Sequence, residues 1–367
     1  RDGMMAMITM QSWMFLSSYE GLRSKLIHQS SIRSMAHLGA RAFDSISGEV
    51  VSTTAFVITK NVNPDYKGVF LRLIKGNSEK EKEQELRESV LNPSCGSRFN
   101  ASNSDFLVIP GHPIAYWISK QARDAFDCVP LSEKATFRAG LQTGDNDTFL
   151  RFRFEVSFNK FQPNCRSRAE SVESKARWFP HNKGGGYRKW HGNKEYSINW
   201  ENDGVDIKER KRSDLEKGKI TPNNSKCWNQ DFYFLNGLTW SSLSSADFSL
   251  RDNGYGFLFD TKGQMLFPES QCEKSSLLGL LNSKVAYYFL AALSPTLDFN
   301  GGVVSKLPLK APQSSCSHVK ELVASARIDW DSYETSWDFT SQPLLDPDYH
   351  QLTLKATYQK LRAQWRE

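Results

Sequence analysis

The residue types best suited to chemistry crowd into one stretch, GGGYRKWHGNKEYSINWENDG, from Gly184 to Gly204. Three glycines run into the cations Arg188, Lys189 and Lys194 and the amides Asn193 and Asn199. The rings of Tyr187, Trp190, Tyr196 and Trp200 are interleaved with them, as Trp178 is just upstream. Cations of this kind neutralise phosphates. Amides, arginines and aromatic rings beside them can read base edges. Residues 160–226 hold 16 Lys+Arg against 9 Asp+Glu, a net of +7, whereas the whole 367-residue chain carries +6. The basic excess is therefore local. A solvated hairpin whose tryptophans pack inward would have the same composition, so both readings stand. The run KERKR, with Lys208, Arg210, Lys211 and Arg212, reads equally as a phosphate rail or as a solvated face. A phosphate-cradling loop at the glycines is excluded by context. Such a loop continues into Lys-Ser/Thr and a helix, whereas Tyr187 and Arg188 follow here, and then a strand pattern.

A second constellation is GLQTGDNDTFLRF, where Thr143, Asp145 and Asn146 crowd a turn before an apolar run. An acidic turn can hold a cation, but the closing Glu of a calcium loop is missing. The alternatives are a turn closed by side-chain-to-backbone bonds or a loop lining a site. The seven histidines and six cysteines show no metal-ligand spacing and no CxxC pair. No GxSxG, HExxH or Cys-His arrangement is present, so no catalytic centre is complete and no metal is expected. Scattered cysteines in a chain this long read as reduced thiols of a cytoplasmic protein. The pI of 8.9 favours an anionic partner.

These residues need elements to position them. Met4 to Thr9 is strand-like, and Trp13, Met14, Leu16, Leu22, Leu26 and Ile27 fit one helix face. EVVSTTAFVITK and GVFLRLI read as strands around the turn NPDYKG, which together suggest the close of an α/β sheet. Ser78 to Leu91 reads as a capped, solvated connector helix. From about Ser104 the texture becomes β-rich and irregular, with DFLVIP, FLRFRFEV, YSINW, FYFLNGLTW and GYGFLFD as strands. LLGLLNSKVAYYFLAAL, Leu277 to Leu293, reads as one buried helix; Asn282, Ser283 and Lys284 interrupt it, so it is not a membrane span. His318 to Glu367 carries two helix patterns around SQPLLDPDY. The opening RDGMMAMITM enters a strand at once, without cap, initiator Met or secretory signal, which reads as a fragment of something longer.

In order along the chain, MITMQSWMFLSSYEGLR, VVSTTAFVI, GLQTGDNDTFLRF, KWHGNKEYSINWENDG, GFLFDTKGQMLFP and LLGLLNSKVAYYFLAALSPTLDFNGGVVSKLPL resemble the C-terminal half of large adenine-specific DNA methyltransferases. The pattern is that of the PglX type of the BREX phage-exclusion systems, and more loosely of type IIG restriction-modification enzymes. The resemblance runs from Met4 to about Trp365. It implies α/β plus α+β architecture: residues 1–77 as the C-terminal remnant of a Rossmann-like methyltransferase sheet, 78–103 as a helical connector, 104–310 as a mixed, β-rich target recognition domain and 311–367 as a helical tail. It also implies S-adenosylmethionine as cofactor, double-stranded DNA as partner, other phage-defence proteins as further partners, and no membrane. The family's Asn/Asp-Pro-Pro-aromatic motif and Phe-x-Gly-x-Gly cofactor loop are absent from this sequence. The fragment alone is thus expected not to methylate but to supply target recognition, either within its parent or as a specificity module for a separate catalytic subunit. DNA contacts are expected at Arg188, Lys189, Trp190, Asn193, Lys194, Lys208, Arg210, Lys211 and Arg212, with Thr143, Asp145 and Asn146 bracing the DNA-facing loop. Phe56 is either a stacking partner for a flipped adenine or a core residue of a strand.

Overall fold

The computed structural model describes residues 3–46, 51–60, 62–244, 246–294, 298–309 and 316–364. Among the described residues it is a mixed α/β structure with three sheets. The chain divides into two compact units: Arg1–Leu131 with Tyr288–Thr296 and Lys306–Lys310, and Ser132–Tyr287 with Leu297–Ser305 and Ala311–Glu367.

The first unit contains β1 (Met4–Met10), α1 (Glu20–Gln29), β2 (Ser31–Gly39), β3 (Thr53–Thr59), β4 (Gly68–Arg72), α2 (Glu79–Leu91), β5 (Arg98–Ala101), α3 (Asn103–Leu107) and α4 (Lys120–Asp124). Its sheet runs β1-β3-β2-β4-β5. The β2–β4 pair is parallel and the other neighbours are antiparallel. The β-branched run TTAFVIT forms β3 as expected, whereas β2, SIRSMAHLG, carries too many small and polar residues to announce itself. The helix expected over Trp13 to Ile27 is broken into short 3-10 turns before α1. Arg23 explains the break: it is 1% exposed, and its guanidinium donates to the carbonyls of Trp13 (2.9 Å), Leu16 (2.6 Å) and Gly111 (2.7 Å). DFLVIP is not a strand. Asp105 accepts from the Ser102 N–H at 2.8 Å and so closes the start of α3. Helix α2 has the expected Ser78 cap, and its Lys82 is buried, donating to the carbonyls of Leu38 and Leu73. It packs within the first unit instead of leaving it. The core gathers Trp13, Met14, Phe56, Phe70, Phe106 and Tyr116. One face of the sheet keeps an apolar groove of about 590 Å³ lined by Ala6, Ile8, Val57, Leu86 and Val90. Strand β1 is exposed along almost its whole length.

The second unit begins with β6 (Ala135–Arg138), α5 (Asn146–Phe149), β7 (Leu150–Phe152), α6 (Arg168–Glu173), β8 (Trp178–Asn182), β9 (Tyr196–Asn199) and α7 (Glu201–Glu216). It continues with β10 (Gly237–Trp240), β11 (Leu250–Gly254), β12 (Leu258–Phe259), β13 (Met265–Pro268) and α8 (Gln271–Leu281). Two four-stranded sheets form, β11-β10-β13-β6 and β12-β8-β9-β7. Their shared core includes Phe149, Phe179, Trp200, Tyr233, Phe234 and Phe259. The run Leu277 to Leu293 is two helices, not one: α8 ends at Leu281, and α9 (Lys284–Leu293), which belongs to the first unit from Tyr288 on, starts afresh. Asn282 stops the first, since its side chain pairs with both the N–H and the carbonyl of Leu250 at 2.9 Å. Then come α10 (Gly301–Val304), α11 (Cys316–Asp331) and α12 (Leu354–Gln364), the last two matching the expected helical pair near the end. Part of the SPTLDF motif, residues 295–297, lies outside the described residues. Among the described residues no single helix is long and apolar enough to cross a membrane. No cluster of three or more His, Cys, Asp or Glu side chains among them is placed to hold a metal. None of Cys95, Cys128, Cys165, Cys227 and Cys272 forms a disulfide.

Candidate nucleic-acid interface

Three loops far apart in sequence cross at one point of the second unit. Gly140 lies against the Phe259 carbonyl so closely that a Cβ would fall 1.7 Å from the oxygen. Asn182 is buried and donates to the carbonyl of Gly263 at 3.0 Å and to the Thr239 hydroxyl. Asp260 closes the opposite turn by accepting from the N–H groups of Lys262 (2.5 Å) and Gly263 (2.8 Å). Burial pushes its pKa up, against the pull of those N–H groups and Lys183. Gly184, at φ 85°, would place a Cβ 2.9 Å from the Lys262 carbonyl. The first glycine of the triplet is therefore a packed crossing, not a flexible lead-in.

This crossing brings the acidic turn and the glycine run together. Lys183 Nζ donates to Asn146 Oδ1 at 3.0 Å and lies 3.7 Å from Asp260 Oδ2. The Thr143 hydroxyl donates to the same Asn146 oxygen at 2.5 Å. Asp145 caps α5, accepting from the N–H (3.1 Å) and hydroxyl (2.9 Å) of Thr148, and these bonds hold its carboxyl below the usual range. The turn is thus closed by side-chain-to-backbone bonds. Lys183 and Asp260 were not singled out in the sequence. Their signals, a Lys ahead of the glycines and the turn DTKG, are common in ordinary loops.

The segment 187–194 is fixed from several sides. The Trp190 N–H donates to the Leu250 carbonyl at 2.9 Å, and its carbonyl accepts from the Asp252 N–H at 2.8 Å. Trp190 thereby lies beside β11, half-buried, at φ 70°. Arg188 pairs with Asp329 at 2.7 Å and stacks on Trp330 at 5.0 Å. Lys189 donates to the Asn282 carbonyl at 2.7 Å. Asn193 is buried, at φ 57°, and bonds the Gly186 carbonyl at 2.8 Å. The Lys194 ammonium lies 5.3 Å from the Phe257 ring, and burial pushes its pKa down to about 8. Tyr187 is the residue here that faces solvent most openly, at 48% exposure.

KERKR lies on α7. Asn202, Asp203 and Gly204 hold left-handed φ values of 50°, 60° and 73°, so the regular helix follows Gly204. Helical spacing then sorts the charges. Lys211 falls on the buried face with Ile207 and donates to the carbonyls of Asn224 (2.9 Å) and Lys226 (3.4 Å). Lys208 pairs with Asp203 at 2.7 Å and lies over Trp200. Arg210 pairs with Asp214 at 3.0 Å and lies 3.8 Å from Asp145, which links α7 to the acidic turn. Arg212 is exposed and forms no ion pair with a described residue. Phe56 is 7% exposed in the core of the first unit, 5.1 Å from Trp13.

No protein-family model matches the chain. It is 41% identical, over 98% of its length, to the adenine-specific methyltransferase PglX of Lacticaseibacillus casei (strain Zhang). It is 40% identical, over 94% of its length, to the adenine-specific methyltransferase BrxX of Escherichia coli O9:H4 (strain HS). The similarity to PglX-type methyltransferases read from the motifs is therefore borne out. The chain spans 30% and 27% of the lengths of these two relatives. Among solved structures, the fold is similar to that of the Type IIL restriction-modification enzyme MmeI, determined in complex with DNA. The TM-score is 0.50 at 14% identity, covering 98% of this chain and 46% of that one.

Proposed function

We propose that this chain is the target-recognising part of a site-specific adenine-N6 DNA methyltransferase of the phage-defence type, acting on double-stranded DNA with S-adenosylmethionine as methyl donor. The observation that carries this reading is the 41% identity to PglX over 98% of the chain. The local geometry supports it. The second unit carries the +7 segment on a crossing of three loops, and Arg210 stands on α7 beside the acidic turn. A rigid basic surface of this kind suits phosphate contact.

The first unit suits the closing end of a Rossmann-like sheet. Strand, helix and a returning antiparallel strand give the order β1-β3-β2, and the outer edge of β1 exposes Met4 and Ile8. Its residues do not fit S-adenosylmethionine. Strand β1 passes into the turn Gln11–Met14 without a glycine, and no adjacent Pro-Pro exists in the chain. No methyl-transfer step is therefore assigned to these residues. In this reading the chain uses Arg188, Arg210 and Arg212 to hold DNA. Lys189, Asn193, Lys194 and Lys211, whose polar atoms are committed inside the unit, support that surface.

Duplex affinity measured against salt tests the reading. We expect affinity to fall steeply as salt rises, R188A to weaken it, and the chain alone to give no turnover with labelled S-adenosylmethionine. Binding that is absent at low salt or indifferent to salt would sink the DNA assignment. Turnover by the chain alone would overturn its role as a recognition part only.

A further inference from the structure

Arg188 stands at the surface already holding an anion. Its guanidinium pairs with Asp329 at 2.7 Å, and among the described residues this is its only ion pair. The pair is open to solvent: 31% of the Arg188 side chain and 60% of the Asp329 side chain are exposed. Asp329 lies in the last turn of α11, where the helix dipole disfavours a carboxylate, and no basic residue in that turn offsets it. The other acids of this corner are matched elsewhere, since Asp331 and Asp338 both pair with Arg327, at 3.4 and 2.9 Å. The charge of Asp329 is thus matched across the unit, by the strap.

Arg188 does not depend on Asp329 for its place. Its guanidinium stacks on Trp330 at 5.0 Å, and Trp330 is itself buried. Gly192 packs against the same side chain, close enough that a Cβ would fall 2.3 Å from Arg188 Cδ. The Arg188 carbonyl accepts from the buried guanidinium of Arg251 at 3.3 Å. A guanidinium receives the oxygens of a carboxylate and of a phosphate in the same way. A duplex phosphate that reaches Arg188 therefore either displaces the Asp329 carboxylate or lies beside it, where like charges repel. Both routes weaken the contact.

We propose that Asp329 competes with DNA for Arg188, as an acidic stand-in for phosphate that the duplex displaces. The inference rests on the reading of Arg188 as a duplex contact and adds an inhibitory residue to it. Anisotropy titration of a labelled duplex at low salt with the full chain, D329N, R188A and the double variant tests it. D329N is expected to bind about 2- to 5-fold more tightly than wild type. The double variant is expected to bind as R188A does, because no guanidinium is left to release. Asp329 is exposed and Asn has its shape, so the core is undisturbed. Equal affinity of D329N and wild type would overturn the proposal and leave the pair as a surface contact. Weaker binding by D329N would overturn it too, and make Asp329 a residue that positions Arg188 for DNA. A gain that persists without Arg188 would reduce the effect to net charge and overturn it likewise. R188A binding as tightly as wild type would remove Arg188 from the interface and this proposal with it, while the duplex reading stood on Arg210 and Arg212. Absence of duplex binding by all four proteins would overturn both.

Discussion

Residues 187–194 and the regular part of α7 are both basic in sequence, yet they spend their charge differently. The first is an irregular strap. Its side chains bond inward to Asn282 and Gly186 and outward to Asp329, and its backbone is sewn to Leu250 and Asp252. The second is a helix, so charge is dealt out by rotation: Lys211 goes in, and Arg212 goes out. The number of cations in a segment therefore says little about how many reach solvent. A strap holds its cations by individual bonds, and a helix sorts them by period.

The strongest way to break this contrast is at Gly192, which sits at φ 117°, where a Cβ would meet Arg188 Cδ at 2.3 Å and Trp330 at 2.8 Å. G192A is expected to destabilise the protein by about 3 kcal/mol in chemical denaturation. An unchanged midpoint would show that the strap is not locked. K211A comes next. Losing a buried ammonium with two carbonyl partners should remove about 2 kcal/mol of stability while duplex affinity stays at the wild-type value. A fall in affinity would mean that Lys211 reaches DNA.

The strap also responds to acid. His191 is buried and its pKa is pushed down to about 3, first by burial and then by the neighbouring Lys194. Its folded pKa lies below the unfolded one, so below pH 6.5 the unfolded chain takes up a proton that the folded chain refuses. Stability is then lost as pH falls from 6.5 toward 3, by about 1 kcal/mol per unit. H191Q should flatten that slope in denaturation curves taken between these limits. The smallest effect is expected for R212A. It should weaken duplex binding a few-fold and lower the salt slope by about one, with stability within about 0.5 kcal/mol of wild type.

How far the sequence reveals all this depends on how local the cause is. Strands β1, β3 and β4 and the Ser78 cap were legible because period and cap chemistry lie within a few residues. The strand reading of DFLVIP fails because Asp105 bonds the Ser102 N–H, a choice that apolar patterning does not register. KERKR reads as an undecided charge run because the left-handed turn at Asn202–Gly204 resets the helical phase just before it. The division of Leu277 to Leu293 depends on Asn282 finding Leu250, 32 residues away. The candidate site was half visible. Its cations and glycines announce themselves, but the inward destinations of Asn193, Lys194 and Lys211 are tertiary facts.

The loop crossing has a consequence for the timing of synthesis. Gln142 and Thr261 meet across 119 residues of chain, and Asn182 and Gly263 across 81. Contacts of such long range slow folding, because loop closure comes before its reward. At roughly 5–20 residues per second, a ribosome needs about 6–24 s to pass from the first of these loops to the last. Strands β7, β8 and β9 are all made within that time, before the turn that closes over them. The second unit must therefore wait for its own Asp260 turn, and a nascent chain stalled before it would present open strand edges to whatever lies nearby.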